Sequence, residues 1–302
     1  MRGRCTLDLT VGGSKMGVMQ AADVSRSDTL GDRLTRAIPA SLSPILAELE
    51  LESARVVTIV ELADLVKRAG VRTEARVVAD RLRRLGWLLP TATAGVWEFA
   101  PGSHAGPVGH GDQYLELRAA LAARPSLDAS VCLLSALAAQ GLSDRAPDRL
   151  EVAVPSSREV PDGLRRAARV VIFAANLAPV RPQGVPVHQP ATVLVHLAAR
   201  PTDVNGWGAV ADALPDLVDA VSSADVDAEL AGRARSVRVR LAYLLHRVSP
   251  ELADRLLPPE EGGRSAAKVW FGPRTSLKRH SSRFAVADTL LPFDPASLEP
   301  DR

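Results

Sequence analysis

Between residues 41 and 102 the apolar positions fall into a short succession of regular patterns. From Ser41 to Glu52, Leu42, Ile45, Leu46 and Leu49 recur at helical spacing, and Arg55-Val56-Val57 follows as a β-branched stretch. Thr58-Ile59-Val60-Glu61 has the form of a capping box, in which the Thr oxygen and the Glu carboxylate each take a free amide at a helix start. The helix behind it carries Leu62, Leu65, Val66 and Ala69 on one side, and Gly70 stands where a C-terminal stop belongs. Thr73 is placed to cap a further helix that runs to Leu85 and stops at Gly86. Two strand-like stretches, 87–89 and 96–99, then flank a loop from Pro90 to Gly95. Helix, strand, helix, turn, helix and hairpin, in that order, predict a winged helix-turn-helix over residues 41–102.

The flanking segments read differently. Residues 1–40 hold no apolar period longer than a turn and are expected to form a poorly ordered leader, within which Met16 and Met19 are alternative starts. Residues 103–111, rich in glycine, are expected to be a linker. From 112 to 302 the pattern alternates. Helices are predicted over 113–123, 127–140, 161–168 and 191–199, with helical segments from Trp207 to Leu257. Strands are predicted over 150–154, 170–175 and 185–188, with a strand and turn at 268–273 and a mostly irregular tail. The fold class is therefore α+β, an N-terminal winged helix-turn-helix followed by a larger mixed α/β domain.

Charge is segregated in the first domain. On the 73–85 helix, Ala75, Val78, Ala79, Leu82 and Leu85 share one side, while Thr73, Arg76, Val77, Asp80, Arg83 and Arg84 lie opposite. Between Lys67 and Arg84 there are seven basic residues against Glu74 and Asp80, whereas the rest of the domain is predominantly acidic. A helix about 10–12 Å across fits a major groove about 12 Å wide. Thr73, Arg76 and Val77, at its N-terminal end, are expected to reach base edges, with Arg76 bidentate to guanine. Lys67, Arg68, Arg72, Arg83 and Arg84 are placed for phosphates. Thr91 and Thr93 in the wing loop are candidates for the DNA backbone or minor groove, or belong to a solvated hairpin. A solvated helix face with Arg76 paired to Asp80, or a winged helix that binds protein, fits the same residues. Arg264, Lys268, Arg274, Lys278, Arg279 and Arg283 form a second basic stretch without a carboxylate, suited to nucleic acid, an acidic protein or plain solvent.

Composition narrows the classes further. The 302 residues are 46% hydrophobic and 24% charged, which excludes wholesale disorder, and the net charge of +2 creates no global field toward nucleic acid. Cys5 and Cys132 are too few for a disulfide framework. No signal peptide and no apolar run near the ~20 residues of a membrane helix is present, so a cytoplasmic protein is expected. His104, His110, His188, His196, His246 and His280 have no zinc-type spacing, and neither GxxxxGK[ST] nor GxSxG occurs. Gly12-Gly13-Ser14 followed by Asp23 resembles the opening of a nucleotidyltransferase site, but Ser25 stands where a second carboxylate would hold Mg²⁺. The expectation is a non-enzyme with neither metal nor cofactor.

The segment from Val131 to Leu142 resembles the "Ser-Ala-Leu … Gly-Leu" helix of AbiEi-type antitoxins, with Ser135-Ala136-Leu137 and Gly141-Leu142 as the matching residues. Gly95-Val96-Trp97-Glu98-Phe99-Ala100-Pro101-Gly102 is similar to the strand that ends their winged helix. The strand-helix-strand order after residue 149, the Val185–His188 stretch, Leu241–Leu245 and Trp270-Phe271-Gly272 are similar too, closest to the mycobacterial branch. The resemblance implies a type IV pair with a nucleotidyltransferase-like toxin, with or without a stable complex. It also implies repression of the protein's own operon through inverted repeats in double-stranded DNA. The leader has no counterpart in the family, and the wing lacks basic residues often found there. A ligand-responsive transcriptional regulator without a toxin partner is the alternative reading.

Overall fold

The computed structural model describes residues 38–102, 111–257 and 267–298. The expected leader (through residue 37), nearly all of the expected linker, the Gly12–Ser25 resemblance, Cys5, His104, His110 and Arg264 lie outside them.

Buried side chains form two clusters. The first is built by α1 (Ser43–Leu51), β1 (Val56–Thr58), α2 (Ile59–Arg68), α3 (Ala75–Arg84), β2 (Leu88–Pro90) and β3 (Val96–Phe99). The three strands form an antiparallel sheet in the order β1-β3-β2, with Val57 opposite Trp97 and Leu89 opposite Glu98. Ile45, Leu49, Leu62, Leu82 and Phe99 are fully buried between helices and sheet. The capping box is present. Thr58 Oγ1 accepts from Glu61 N at 3.1 Å, and Thr58 N donates to Glu61 Oε2 at 2.7 Å. Gly70 (φ 65°) and Gly86 (φ 76°) end α2 and α3 in the left-handed conformation that a side chain disfavours. Thr73 does not cap α3. The helix begins one residue later, behind Glu74, whose side chain makes no capping bond.

The second cluster begins with α4 (Leu115–Ala123), which also packs across β1 and β3. Its sheet comprises β4 (Ser130–Val131), antiparallel to β5 (Glu151–Val154), and β6 (Arg169–Ile172), parallel to β5. The expected 127–140 helix is thus shortened to its second half, and a two-residue strand stands before it. Only α5 (Leu133–Ala139) is helical, because Val131 is drawn into the sheet opposite Val152 and the chain corners at Leu133 with a φ of 48°. Val187 bridges both Val131 and Val180, so the predicted 185–188 stretch extends the same sheet. Between β5 and β6 runs α6 (Asp162–Ala167).

At the centre of this cluster is α7 (Pro190–Ala199), buried from Ala191 through Ala198 and apolar nearly all round, as an interior helix must be. Against it pack α8 (Trp207–Asp219), α9 (Ser223–Leu230) and α10 (Arg235–Leu245), and α11 (Pro250–Leu256) packs on α10. The tail, expected to be mostly irregular, forms a third small sheet. β7 (Val269–Phe271) is parallel to β9 (Val286–Asp288), and β8 (Arg279–Ser281) is antiparallel to it.

Candidate nucleic-acid interface

Val78, Ala79 and Leu82 of α3 face the first core, while Arg76, Val77, Asp80, Arg83 and Arg84 face solvent. The placement follows from helical period, since Val78, Ala79 and Leu82 recur three and four residues apart as the apolar stripe and the other positions from Arg76 to Arg84, Arg81 included, are left to solvent. Val77 is 54% exposed, an apolar side chain beside Arg76 at the helix's N-terminal end. Thr73, just before the helix, is also exposed.

The arginines divide by engagement. Asp80 pairs with Arg83 at 3.2 Å and leaves Arg76 without a hydrogen-bond or ion-pair partner among the described residues. Arg76 instead borders a shallow cleft of about 300 Å³ with Ile59, Gly95 and Trp97. Lys67, Arg72 and Arg84 are exposed and likewise unpaired among the described residues. Arg68 is held back on α1, 3.3 Å from Glu52 and 3.7 Å from Glu48. Arg81, which the sequence reading left out of the interface, donates to Ser41 Oγ at 3.5 Å.

The wing loop departs from expectation. Thr93 is buried, only 8% exposed, and Thr91 turns its hydroxyl inward to Thr93 O and Val96 O at 3.1 and 2.8 Å. Both carboxylate oxygens of Glu116, on α4, accept from Ala92 N at 2.9 Å. On the other side the loop rests on Gly163 of α6, where a Cβ would lie 2.4 Å from Ala92 O. The loop is packed on the second core, with Thr93 covered and the hydroxyl of the half-exposed Thr91 engaged within the loop.

The second basic stretch is also corrected. Arg279 is engaged by the buried Asp288 at 2.7 and 2.9 Å, and Arg283 pairs with Asp254. Lys278 donates to Leu290 O at 2.8 Å, and Lys268 lies over the Trp270 ring. Of the described members only Arg274 projects as an unengaged exposed cation. Two members of a run without local carboxylates are thus paired with carboxylates from elsewhere in the chain, and Lys278 is tied to a main-chain carbonyl, so the stretch does not present its cations as one free patch.

Sequence reasoning missed a buried polar cluster around Glu229. Its carboxylate accepts from Asn176 N, Leu177 N and Thr192 Oγ1 at about 3.0 Å and pairs with Arg233. Phe173 is stacked on the His196 ring at 4.0 Å, and the Arg233 guanidinium lies over the Phe173 ring at 4.4 Å. Burial lowers the His188 pKa to about 4 and pushes His196 well below the usual range, so both rings are neutral near pH 7. Glu229, His188 and Phe173 come from three separate stretches of the chain, and no local spacing announces them.

The Val131–Leu142 segment has a physical role. Ser135 is buried at the start of α5, and its Oγ accepts from Glu151 N at 2.9 Å, joining the helix to the first residue of β5. Residues 129–247 match the family model of the AbiEi antitoxin C-terminal domain. The resemblance to AbiEi antitoxins is borne out. The chain is also similar to the RV2827C protein from Mycobacterium tuberculosis, whose crystal structure superposes with a TM-score of 0.70 at 28% identity. That likeness covers 85% of this chain and 94% of the other, so it extends beyond the AbiEi antitoxin segment to parts of both buried cores. No curated protein matches significantly. Among the described residues no helix is long and apolar enough to cross a membrane.

Proposed function

We propose that this protein is a DNA-binding antitoxin of the cytoplasm that represses its own operon and counteracts a nucleotidyltransferase-like toxin. The observation that carries this reading is the AbiEi antitoxin match standing beside a helix whose exposed side offers Arg76 and Val77 with nothing covering them. The first core is read as a winged helix-turn-helix, with α2 and α3 as its helix pair and the β2–β3 hairpin returning beside β1. In that reading α3 enters the major groove, Arg76 takes the O6 and N7 edge of guanine, and Val77 touches a neighbouring thymine methyl. Lys67, Arg72 and Arg84 bind phosphates, while Arg68 and Arg83, already paired, add less. The wing stays on the second core.

Residues 112–302 carry the opposition to the toxin, without catalysis, metal or cofactor. A gel shift of the upstream region, titrated with salt, tests the DNA arm, since phosphate-dominated binding weakens steeply with ionic strength. Co-expression of the full-length protein with the neighbouring nucleotidyltransferase-like protein tests the other. Retained binding with no rescue, or no such neighbour at all, would favour the ligand-responsive regulator.

A further inference from the structure

Where the two buried clusters meet, a cleft of about 360 Å³ opens with three arginines in its lining and no carboxylate. Arg55 enters from the first core, immediately before β1, and Arg118 and Arg181 enter from the second. Arg118 is fixed. Its Nε donates to Asp112 at 2.7 Å and its NH2 to the Gln183 carbonyl at 2.5 Å. Arg55 and Arg181 are exposed and have no side-chain partner among the described residues. Counting Asp112 behind Arg118, the cleft keeps a surplus of two positive charges on a concave surface, with Val56, Leu121 and Val185 as its apolar wall.

Guanidinium groups of like charge are drawn into one hollow only at an electrostatic cost, which an anion with several oxygens relieves by taking paired N–H donors. The volume suits a small molecule rather than a macromolecular strand. Arg55 and the start of α2 stand at opposite ends of β1, so the cleft is apart from the α3 N-terminal end, which borders Ile59. We propose that this cleft binds a small ligand carrying a diphosphate or triphosphate, held by Arg55, Arg118 and Arg181, and thereby clamps the first core to the second. The site is independent of whether α3 binds DNA.

The test is calorimetric titration of full-length protein with inorganic pyrophosphate, with sulfate and adenosine as controls, repeated on an Arg55→Gln/Arg181→Gln double variant. Both side chains are exposed, so the variant is expected to fold, which an unchanged thermal transition without ligand confirms. Pyrophosphate is expected to bind, sulfate and adenosine to bind far more weakly, and the double variant to lose about a hundredfold in affinity, near tenfold per arginine. No pyrophosphate binding, equal binding of sulfate, or undiminished binding by the variant would each overturn the proposal. A parallel gel shift separates it from the DNA reading. Loss of operator affinity in the variant, with no pyrophosphate binding by the parent, would assign the cleft to the DNA backbone instead.

Discussion

At the scale of single residues, what matters is which charges are engaged. Arg76 and Arg83 sit on the same exposed side of α3, yet Asp80 takes Arg83 at 3.2 Å and leaves Arg76 open. Arg76→Ala is therefore expected to reduce operator affinity by about 1–3 kcal/mol with little change on scrambled DNA. Equal loss on both sequences in a competition gel shift would move Arg76 to the phosphate class. Glu229 is the opposite case, fully buried with amide, hydroxyl and guanidinium partners. Glu229→Ala strands Arg233 and the amides of residues 176 and 177, and should cost about 3–5 kcal/mol in urea unfolding. The buried histidines give a pH signature. The unfolded chain protonates His188 near 6.5 while the fold delays this to about 4, so the extra proton goes to the unfolded state. The contribution is fully present above about 6.5 and is lost as pH falls toward 4, with His196 acting in the same direction. Urea midpoints should drop across that window, and less so in His196→Phe. Midpoints independent of pH there would contradict it.

At the scale of elements, local chemistry and tertiary contact contribute unequally. The Thr58–Glu61 box and the glycine stops were legible, because their partners lie within four residues along the chain. The α5 boundary was not. Val131 belongs to a strand only because Val152 lies beside it, and the corner at Leu133 is turned by a residue that does not advertise a left-handed φ. Likewise β8 and β9 are three residues each, too short for alternation to register, and are strands through their pairing. The wing loop is defined by a contact in the same way. A Cβ on Gly163 would meet Ala92 O at 2.4 Å, so Gly163→Ala should push the loop off α6 at a cost of about 1–3 kcal/mol. Hydrogen exchange at Ala92 and Thr93 should quicken in that variant, and unchanged protection would show that the loop is not held there.

At the scale of the whole molecule, the near-neutral total of +2 conceals separate territories. Lys67, Arg72, Arg76 and Arg84 stay free around α2 and α3 and Arg55 and Arg181 stay free in the inter-core cleft, while Lys278, Arg279 and Arg283 near the C-terminus are engaged by carboxylates and carbonyls. Salt dependence is the quantity that reads such a distribution. Removing Lys67, Arg72 or Arg84 should each lower the slope of log affinity against log salt by about 1, and removing Arg68, held by Glu48 and Glu52, should lower it less. Equal slopes for all four variants would show that pairing in the free protein does not govern the interface.

Helical period, capping and charge order along the chain were enough to determine the elements of the first core and which side of α3 faces water. These depend on neighbours three or four positions away, and such neighbours are fixed by the covalent chain. Tertiary structure alone decided that Thr93 is covered, that Arg279 serves Asp288, and that Glu229 gathers partners from Asn176, Leu177 and Thr192. It also brought Arg55, Arg118 and Arg181 to one hollow. A side chain's free charge is what remains after every spatial neighbour has been counted, and the sequence records only the neighbours along the chain.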